Sequence, residues 1–347
     1  MRKAATDTRA GSGVVGGGVD GGGSGGGDGG GSGGVDAGGV DGGGVVVGAD
    51  HGPAAGSATL RSVIEVTRPF AGAPLLDFLH RHLVAGVETG EVLQVAGRAE
   101  VRYARTVGLP HGPATVRLTW AEDSLAAEFT SDRRDQAEGL RRLQHLVDAD
   151  TDPAPVDAHL GSDPHLSSLV RETPGLRVPG VVDVAEMVFR TVLGQQISLA
   201  AARTCAATLT QRYGERMDTG IAGLDHLFPT AAAFAEADPA TLPMPGSRGR
   251  ALVGLAQRIT DGRLDLSDEV DASTLRKELL ACPGIGPWTA DYVLMRARHA
   301  PDVLLTNDLV IARELVAREV ADPAAWSPYR SYAAMHLWHD FLNRVPG

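Results

Sequence analysis

The sequence predicts an α+β protein. A small antiparallel-sheet α/β domain is followed by an all-helical domain, and a disordered Gly-rich tail precedes both. Three observations predict this. Residues 1–57 are rich in glycine, with scattered Val, Asp and Ser. Val116, Leu118 and Trp120 alternate with Arg117 and Thr119, and Leu125, Ala127 and Phe129 alternate again after Glu122-Asp123. That is the two-residue period of half-buried strands. From about residue 154 the strand pattern vanishes, and apolar spacing of 3.6 punctuated by capping residues replaces it.

The tail comes first. Over 1–57 too little apolar surface is available to offset the entropy of ordering the chain, so a flexible segment is expected. It carries no assigned function. Residues 58–153 form the α/β domain. Val63, Ile64 and Val66 read as a short strand. Leu75, Leu76, Phe78, Leu79, His82 and Leu83 follow helical spacing. The two alternating runs around Glu122-Asp123 read as a β-hairpin. Leu140, Leu143, Leu146 and Val147 close the unit with a second helix.

Residues 154–347 form the helical domain. Asp183 followed by Glu186 has the spacing of a capping box, and Val184, Met187, Val188, Thr191 and Val192 make one apolar face. Ser198 is placed to cap the next helix, which Gly214 ends. Thr230, Ser247 and Asp271 are the expected N-caps of three more. One further helix carries Trp288 and Tyr292, another opens at Asp308, and a last one covers roughly Ser327 to Leu342. No internal repeat is evident.

Composition bounds the function. A chain of 347 residues with 43% hydrophobic content has room for two cores. The net charge of −11 is unusual for a nucleic-acid binder. Asp20, Asp28, Asp36, Asp41 and Asp50 lie in a Gly-rich stretch without Lys or Arg, so the acidity does not describe the folded part. Cys205 and Cys282 are too few for a disulfide framework or a four-cysteine iron-sulfur cluster. The expected compartment is a reducing cytoplasm, close to the nucleoid. Neither a run of about 18 apolar residues nor the apolar core of a signal peptide occurs, so no membrane partner is expected. The eleven histidines, His80 with His82 and His336 with His339 among them, form no metal-ligand set.

The most informative stretch runs from Leu279 to Leu309. Cys282-Pro283-Gly284-Ile285-Gly286-Pro287-Trp288 is a tight turn between two helical patterns, and Asp308 follows about one helix later. Gly284 and Gly286 allow close backbone approach, Ile285 anchors the turn, and Pro287 fits a first helical turn. The N–H groups at Gly284, Gly286 and Trp288 can then face one anion at a helix N-terminus. Such a device grips a phosphate and reads no base. An ordinary connection between two helices uses the same residue types. Likewise Trp288, Tyr292 and Trp338 suit either a core or a stacking wall for a cationic base. Asp308 suits either an N-cap or a reacting carboxylate, with Asp291 and Asp302 as rival acids.

The turn resembles the helix-hairpin-helix motif of the DNA glycosylase superfamily, and the chain from about residue 61 onward resembles AlkA-type 3-methyladenine DNA glycosylases. The resemblance is carried, in order, by Val87-Glu88-Thr89, Tyr103-Ala104-Arg105, Pro174 through Gly180, Leu193-Gly194-Gln195-Gln196-Ile197-Ser198, Cys282 through Tyr292, Asp302 through Ile311, and Tyr329 through Tyr332. It implies an α/β domain followed by a helix-hairpin-helix glycosylase domain. It makes Asp308 the catalytic carboxylate, and Trp288, Tyr292 and Trp338 the base pocket. It assigns DNA contact to Gly284, Ile285, Gly286, Pro287, Gln195, Gln196 and Ser198. Gln196 departs from the family pattern. It stands where the side chain that fills the gap of the flipped nucleotide is apolar, so it reads either as that wedge or as an exposed loop residue.

The activity so implied is that of a monofunctional DNA glycosylase of base excision repair. It would flip alkylated purines of the 3-methyladenine and 7-methylguanine type out of double-stranded DNA and hydrolyse the N-glycosidic bond, leaving an abasic site. Lyase relatives keep a lysine at the hairpin, where this chain has Trp288. No cofactor is required. A monovalent cation at the hairpin backbone is the one ion the reading allows, and a monomer is expected. Two alternatives stay open: a non-catalytic helix-hairpin-helix DNA-binding protein, and a glycosylase for another lesion class.

Overall fold

Glu122 and Asp123 both take positive φ, +49° and +58°, and Ala121 pairs with Ser124 across them. Two residues with φ > 0 make a turn whose twist matches that of flanking strands. This hairpin organises a five-stranded antiparallel sheet in a computed structural model that describes residues 57–344 apart from residue 96. The tail expected over 1–57 lies, except for Ser57, outside the described residues.

The strands are β1 (Ser57–Val63), β2 (Glu88–Val95), β3 (Arg98–Leu109), β4 (Gly112–Ala121) and β5 (Ser124–Asp132), in the order β1-β5-β4-β3-β2. Helix α1 (Gly72–Arg81) connects β1 to β2, and α2 (Gln136–Leu146) follows β5. Both bury apolar residues against the sheet. Phe129 of β5 lies so close to α2 that a Cβ on Gly139 would meet its ring at 2.0 Å. The first strand corrects the expectation. It begins at Ser57 and stops at Val63, because its partner β5 begins at Ser124 and leaves only Leu125 O for the Ile64 N–H. Strands β2 and β3 were not foreseen individually. Residues 103–107 of β3 are buried on both faces, which erases the two-residue alternation.

The helical part comprises α3 (Pro153–Gly161), α4 (Ser167–Glu172), α5 (Val184–Gly194), α6 (Leu199–Tyr213), α7 (Ala231–Ala235), α8 (Gly246–Thr260), α9 (Ala272–Leu280), α10 (Pro287–Ala297), α11 (Leu309–Ala317) and α12 (Arg330–Arg344). The boundary expected between 153 and 154 falls at the first residue of α3, whose cap is Asp152. Caps set most helix starts. Asp183, Ser198, Thr230 and Asp271 each accept a backbone N–H from the first turn they precede. Ser247 does not. Pro245 fixes φ near −55° and α8 begins directly at Gly246, so Ser247 falls inside the first turn. The last helix starts at Arg330, not near Ser327, after a cis Ser327-Pro328 bond.

The capping box at Asp183 is one-sided, because Glu186 is engaged elsewhere. Its carboxylate accepts from Arg105 at 2.6 Å and from Arg190 at 2.9 Å. Glu88 pairs with Arg190 at 3.0 Å and accepts from the Tyr103 hydroxyl at 2.6 Å. This buried network clamps β2 and β3 onto α5. Breaking such a network by removing one partner strands a charge and costs about 3–5 kcal/mol.

Two apolar cores result. One joins the sheet to α1, α2, α3, α4 and α12; the other fills the space between α5, α6, α8, α9 and α10. The segment Pro174–Gly180 lends Leu176 and Val178 to the first core, and Arg177 within it is fully buried, donating to Thr67 O at 2.5 Å.

Candidate active site

The turn between α9 and α10 is dictated by backbone geometry. Asp271 opens α9 by accepting from Ser273 and Thr274 N–H. Cys282 and Ile285 are buried and root the turn in the second core, with Ile285 N–H bonded to Cys282 O at 3.1 Å. Gly284 takes φ +85°, and a Cβ there would lie 2.6 Å from the Ala251 methyl of α8. Glycine is therefore required twice over at this position. Gly286 precedes α10 in extended conformation with no side-chain cap, and Pro287 is the first helical residue. A Cβ at Gly286 would meet nothing within 4 Å. The orphan N–H groups of the first turn of α10 thus have no side-chain acceptor at the cap position. That is the arrangement an anion needs.

Gln195, expected at the DNA, is hydrogen-bonded to the turn. Its Nε2 donates to Gly284 O and to the Thr289 hydroxyl, both at 3.0 Å. Gln196 and Ser198 are exposed on the same loop, and the Ser198 hydroxyl also caps α6 by accepting from Ala201 N–H at 3.2 Å. The loop and the hairpin therefore form one connected surface.

Helix α10 carries the aromatic row. Trp288 and Tyr292, four residues apart, stack with ring centroids 5.1 Å apart and an interplanar angle of 17°. Trp338 from α12 meets Tyr292 edge-on, 6.0 Å away at 85°. Trp338 Nε1–H then donates to Asp308 Oδ1 at 3.1 Å. The row runs without a break from the hairpin to the aspartate. The Trp288 indole N–H is buried and finds no acceptor among the described residues.

Asp308 caps α11. The same Oδ1 accepts from Val310 N–H at 2.9 Å and from Ile311 N–H at 3.0 Å. Three donors fix one oxygen, and Oδ2 has no hydrogen-bond partner among the described residues. The side chain is half-buried. Helix capping and chemistry are therefore compatible roles, carried by different oxygens of one carboxylate.

The rival acids are differently placed. Asp302 is chelated by Arg330, at 2.6 and 2.9 Å, and accepts from the Ser327 hydroxyl. The hydrogen-bonded Arg330 guanidinium holds the Asp302 carboxyl below its ordinary range. Asp291 is chelated by Arg276 at 2.6 and 3.2 Å. Both have their oxygens occupied.

Arg296 is a site residue that sequence reasoning missed. Buried one turn past Tyr292, it donates to the Tyr292 hydroxyl at 2.8 Å, to Gly180 O at 3.0 Å and to Pro179 O. It locks the middle ring of the row to the end of the Pro174–Gly180 segment. Its spacing of four from Tyr292 was the available signal. Among the described residues no group of three or more His, Cys, Asp or Glu is placed to hold a metal ion.

The chain is similar to known proteins over most of its length. Residues 62–183 match the family model of the AlkA N-terminal domain. The chain is 37% identical over 299 residues to a probable bifunctional transcriptional activator/DNA repair enzyme AlkA of Mycobacterium tuberculosis, covering 82% of this chain and 57% of that protein. It thus spans little more than half the length of that relative. It is 34% identical over 281 residues to DNA-3-methyladenine glycosylase 2 of Escherichia coli, covering 78% of this chain and 94% of that protein. Among solved structures, a 3-methyladenine DNA-glycosylase from Archaeoglobus fulgidus shares the fold, with a TM-score of 0.64 at 20% identity over 82% of this chain and 99% of that one.

Proposed function

The chain belongs to the AlkA-type family of DNA-3-methyladenine glycosylases, and from that membership we propose that it is a monofunctional DNA glycosylase of base excision repair. Its substrate is double-stranded DNA carrying alkylated purines of the 3-methyladenine and 7-methylguanine type. It acts as a monomer in the cytoplasm, at the nucleoid. The observation that carries the reading is the Asp308 carboxylate, with one oxygen pinned by three donors and the other unengaged, at the end of an aromatic row that begins at the hairpin.

The chemistry follows from that placement. A base inside the stack is out of reach, so it must be rotated out, and damaged bases are the least costly to extrude. An alkylated purine is cationic, and the faces of Trp288 and Tyr292 suit a cation. Backbone N–H groups of the hairpin hold a phosphate of the same strand. Alkylation lets the base leave as a neutral molecule when the N-glycosidic bond breaks. Positive charge then develops on the sugar, and a preorganised carboxylate stabilises it. Asp308 Oδ2 supplies that charge and orients the attacking water. The hairpin position that would need a lysine for Schiff-base chemistry holds Trp288, so the product is an intact abasic strand.

The test is incubation with methylated duplex DNA and chromatography of what is released. Free 3-methyladenine and 7-methylguanine are expected, with no strand cut and no covalent adduct trapped by borohydride. Tight binding without base release would favour a DNA-holding module instead.

A further inference from the structure

The loop between α5 and α6 is fastened at both ends. Gln195 ties it to the hairpin through Gly284 O, and Ser198 caps α6. Between these anchors Gln196 takes φ +57°, a left-handed conformation that a glutamine adopts only when its surroundings impose it. The result is a display of side chains. Gln196 is exposed, Ile197 is 38% exposed and Leu199 is 41% exposed. The other large exposed aliphatics among the described residues are Val63, Val92 and Val95 on β1 and β2, Leu280 at the end of α9, and Leu309 and Val316 on α11. Ile197 sits on the loop that Gln195 bonds to the hairpin, and Leu199 opens α6 directly after it.

Side chains that wedge a kinked duplex open are frequently apolar, because they replace stacked base surface. Gln196 can hydrogen-bond a base but offers little such surface. We propose that the wedge of this protein is divided between two residues. Ile197 enters the base step and fills the space vacated by the extruded nucleotide, while the Gln196 amide bonds the base left without a partner. Leu199 packs beside Ile197 on the same duplex. The occupant of this apolar patch is thus a kinked step of double-stranded DNA, because the patch is continuous through Gln195 with the turn that grips the strand. The inference rests on the base-flipping reading above and adds a residue to it.

The experiment is a binding measurement that needs no base release. Affinity for a duplex containing a tetrahydrofuran abasic site is compared with affinity for the intact duplex. Ile197→Ala should lose about tenfold in preference for the abasic duplex, and Ile197→Leu should restore most of it. Val92→Ala removes an aliphatic 61% exposed on β2 and should change nothing. Gln196→Ala should instead weaken discrimination between bases opposite the lesion. Thermal melting, run alongside, separates these effects from misfolding, since Ile197 contributes little to either core. An Ile197→Ala variant with the parent's preference overturns the assignment while the glycosylase reading stands. Failure of the parent to release methylated bases overturns that reading and this inference with it.

Discussion

Trp338 donates its indole N–H to the Asp308 oxygen that two backbone amides of α11 already hold, at 3.1 Å. A ring of the aromatic row thereby aims the carboxylate at its own end. The remaining oxygen is left for chemistry.

Removing that donor while keeping an aromatic ring isolates the aiming role. Trp338→Phe is expected to slow single-turnover base release by about 10- to 100-fold, the equivalent of one hydrogen bond to a charged group of roughly 1.5–3 kcal/mol. An unchanged rate would mean the backbone amides alone position Asp308.

The rival acids separate structure from catalysis. Asp302→Asn breaks the chelate with Arg330 and should cost about 1 kcal/mol of stability, as half-exposed pairs do. Asp291→Asn, which breaks the pair with Arg276, should cost no more. Both variants should release base within about threefold of the parent rate. A large loss of activity in a well-folded Asp302→Asn protein would transfer the catalytic role to that residue.

The hairpin has a steric test. At Gly284 a methyl group meets both a φ of +85° and the Ala251 side chain at 2.6 Å. Gly284→Ala should destabilise the fold by about 1–3 kcal/mol. It should also weaken binding to all duplexes alike, because the turn contacts backbone and not bases. Thermal melts and binding to undamaged DNA check the two halves. Normal binding would remove the hairpin from the DNA interface.

Stability should fall in acid, for a reason readable from the buried histidines. Burial, reinforced by Arg296 and Arg190, lowers His82 from 6.5 to about 4. Burial, with a smaller contribution from His339, lowers His336 from 6.5 to about 3. The unfolded chain therefore binds protons that the fold refuses. Their stabilising contribution is complete above pH 6.5 and declines as pH falls through the window down to the folded values. Glu88 adds a second loss. Burial would raise it, but Arg190 and Arg105 outweigh burial and hold it at about 2, so its contribution is lost between 4.5 and 2. A melting temperature at about pH 5 equal to that at about pH 7.5 would contradict this.

The sequence made some features legible and hid others for physical reasons. The β4–β5 hairpin was visible because one face of each strand is buried and the other is not. Most helix starts were visible because Asp, Ser and Thr caps act within three residues of themselves. The interior of β3 is buried on both faces and shows no alternation. The short helices α3 and α4 have too few turns to show a period. Glu88, Tyr103 and Arg105 stood out only by family resemblance, because their shared role is a buried ion network joined by residues far apart in the chain. At the site, the stacking of Trp288 on Tyr292 followed from helical spacing. The bond from Trp338 to Asp308 spans thirty residues and two helices, so nothing local could announce it. The bond from Gln195 to the hairpin spans 89 residues, so it too was hidden from local sequence patterns.

The most direct measurement is base release by Asp308→Asn on methylated duplex DNA, with binding to an abasic duplex followed in parallel. The substitution keeps the shape and a capping oxygen and removes the charge. Release is expected to vanish while binding persists. Release at near-parental rate would contradict the assignment of the chemistry to this carboxylate.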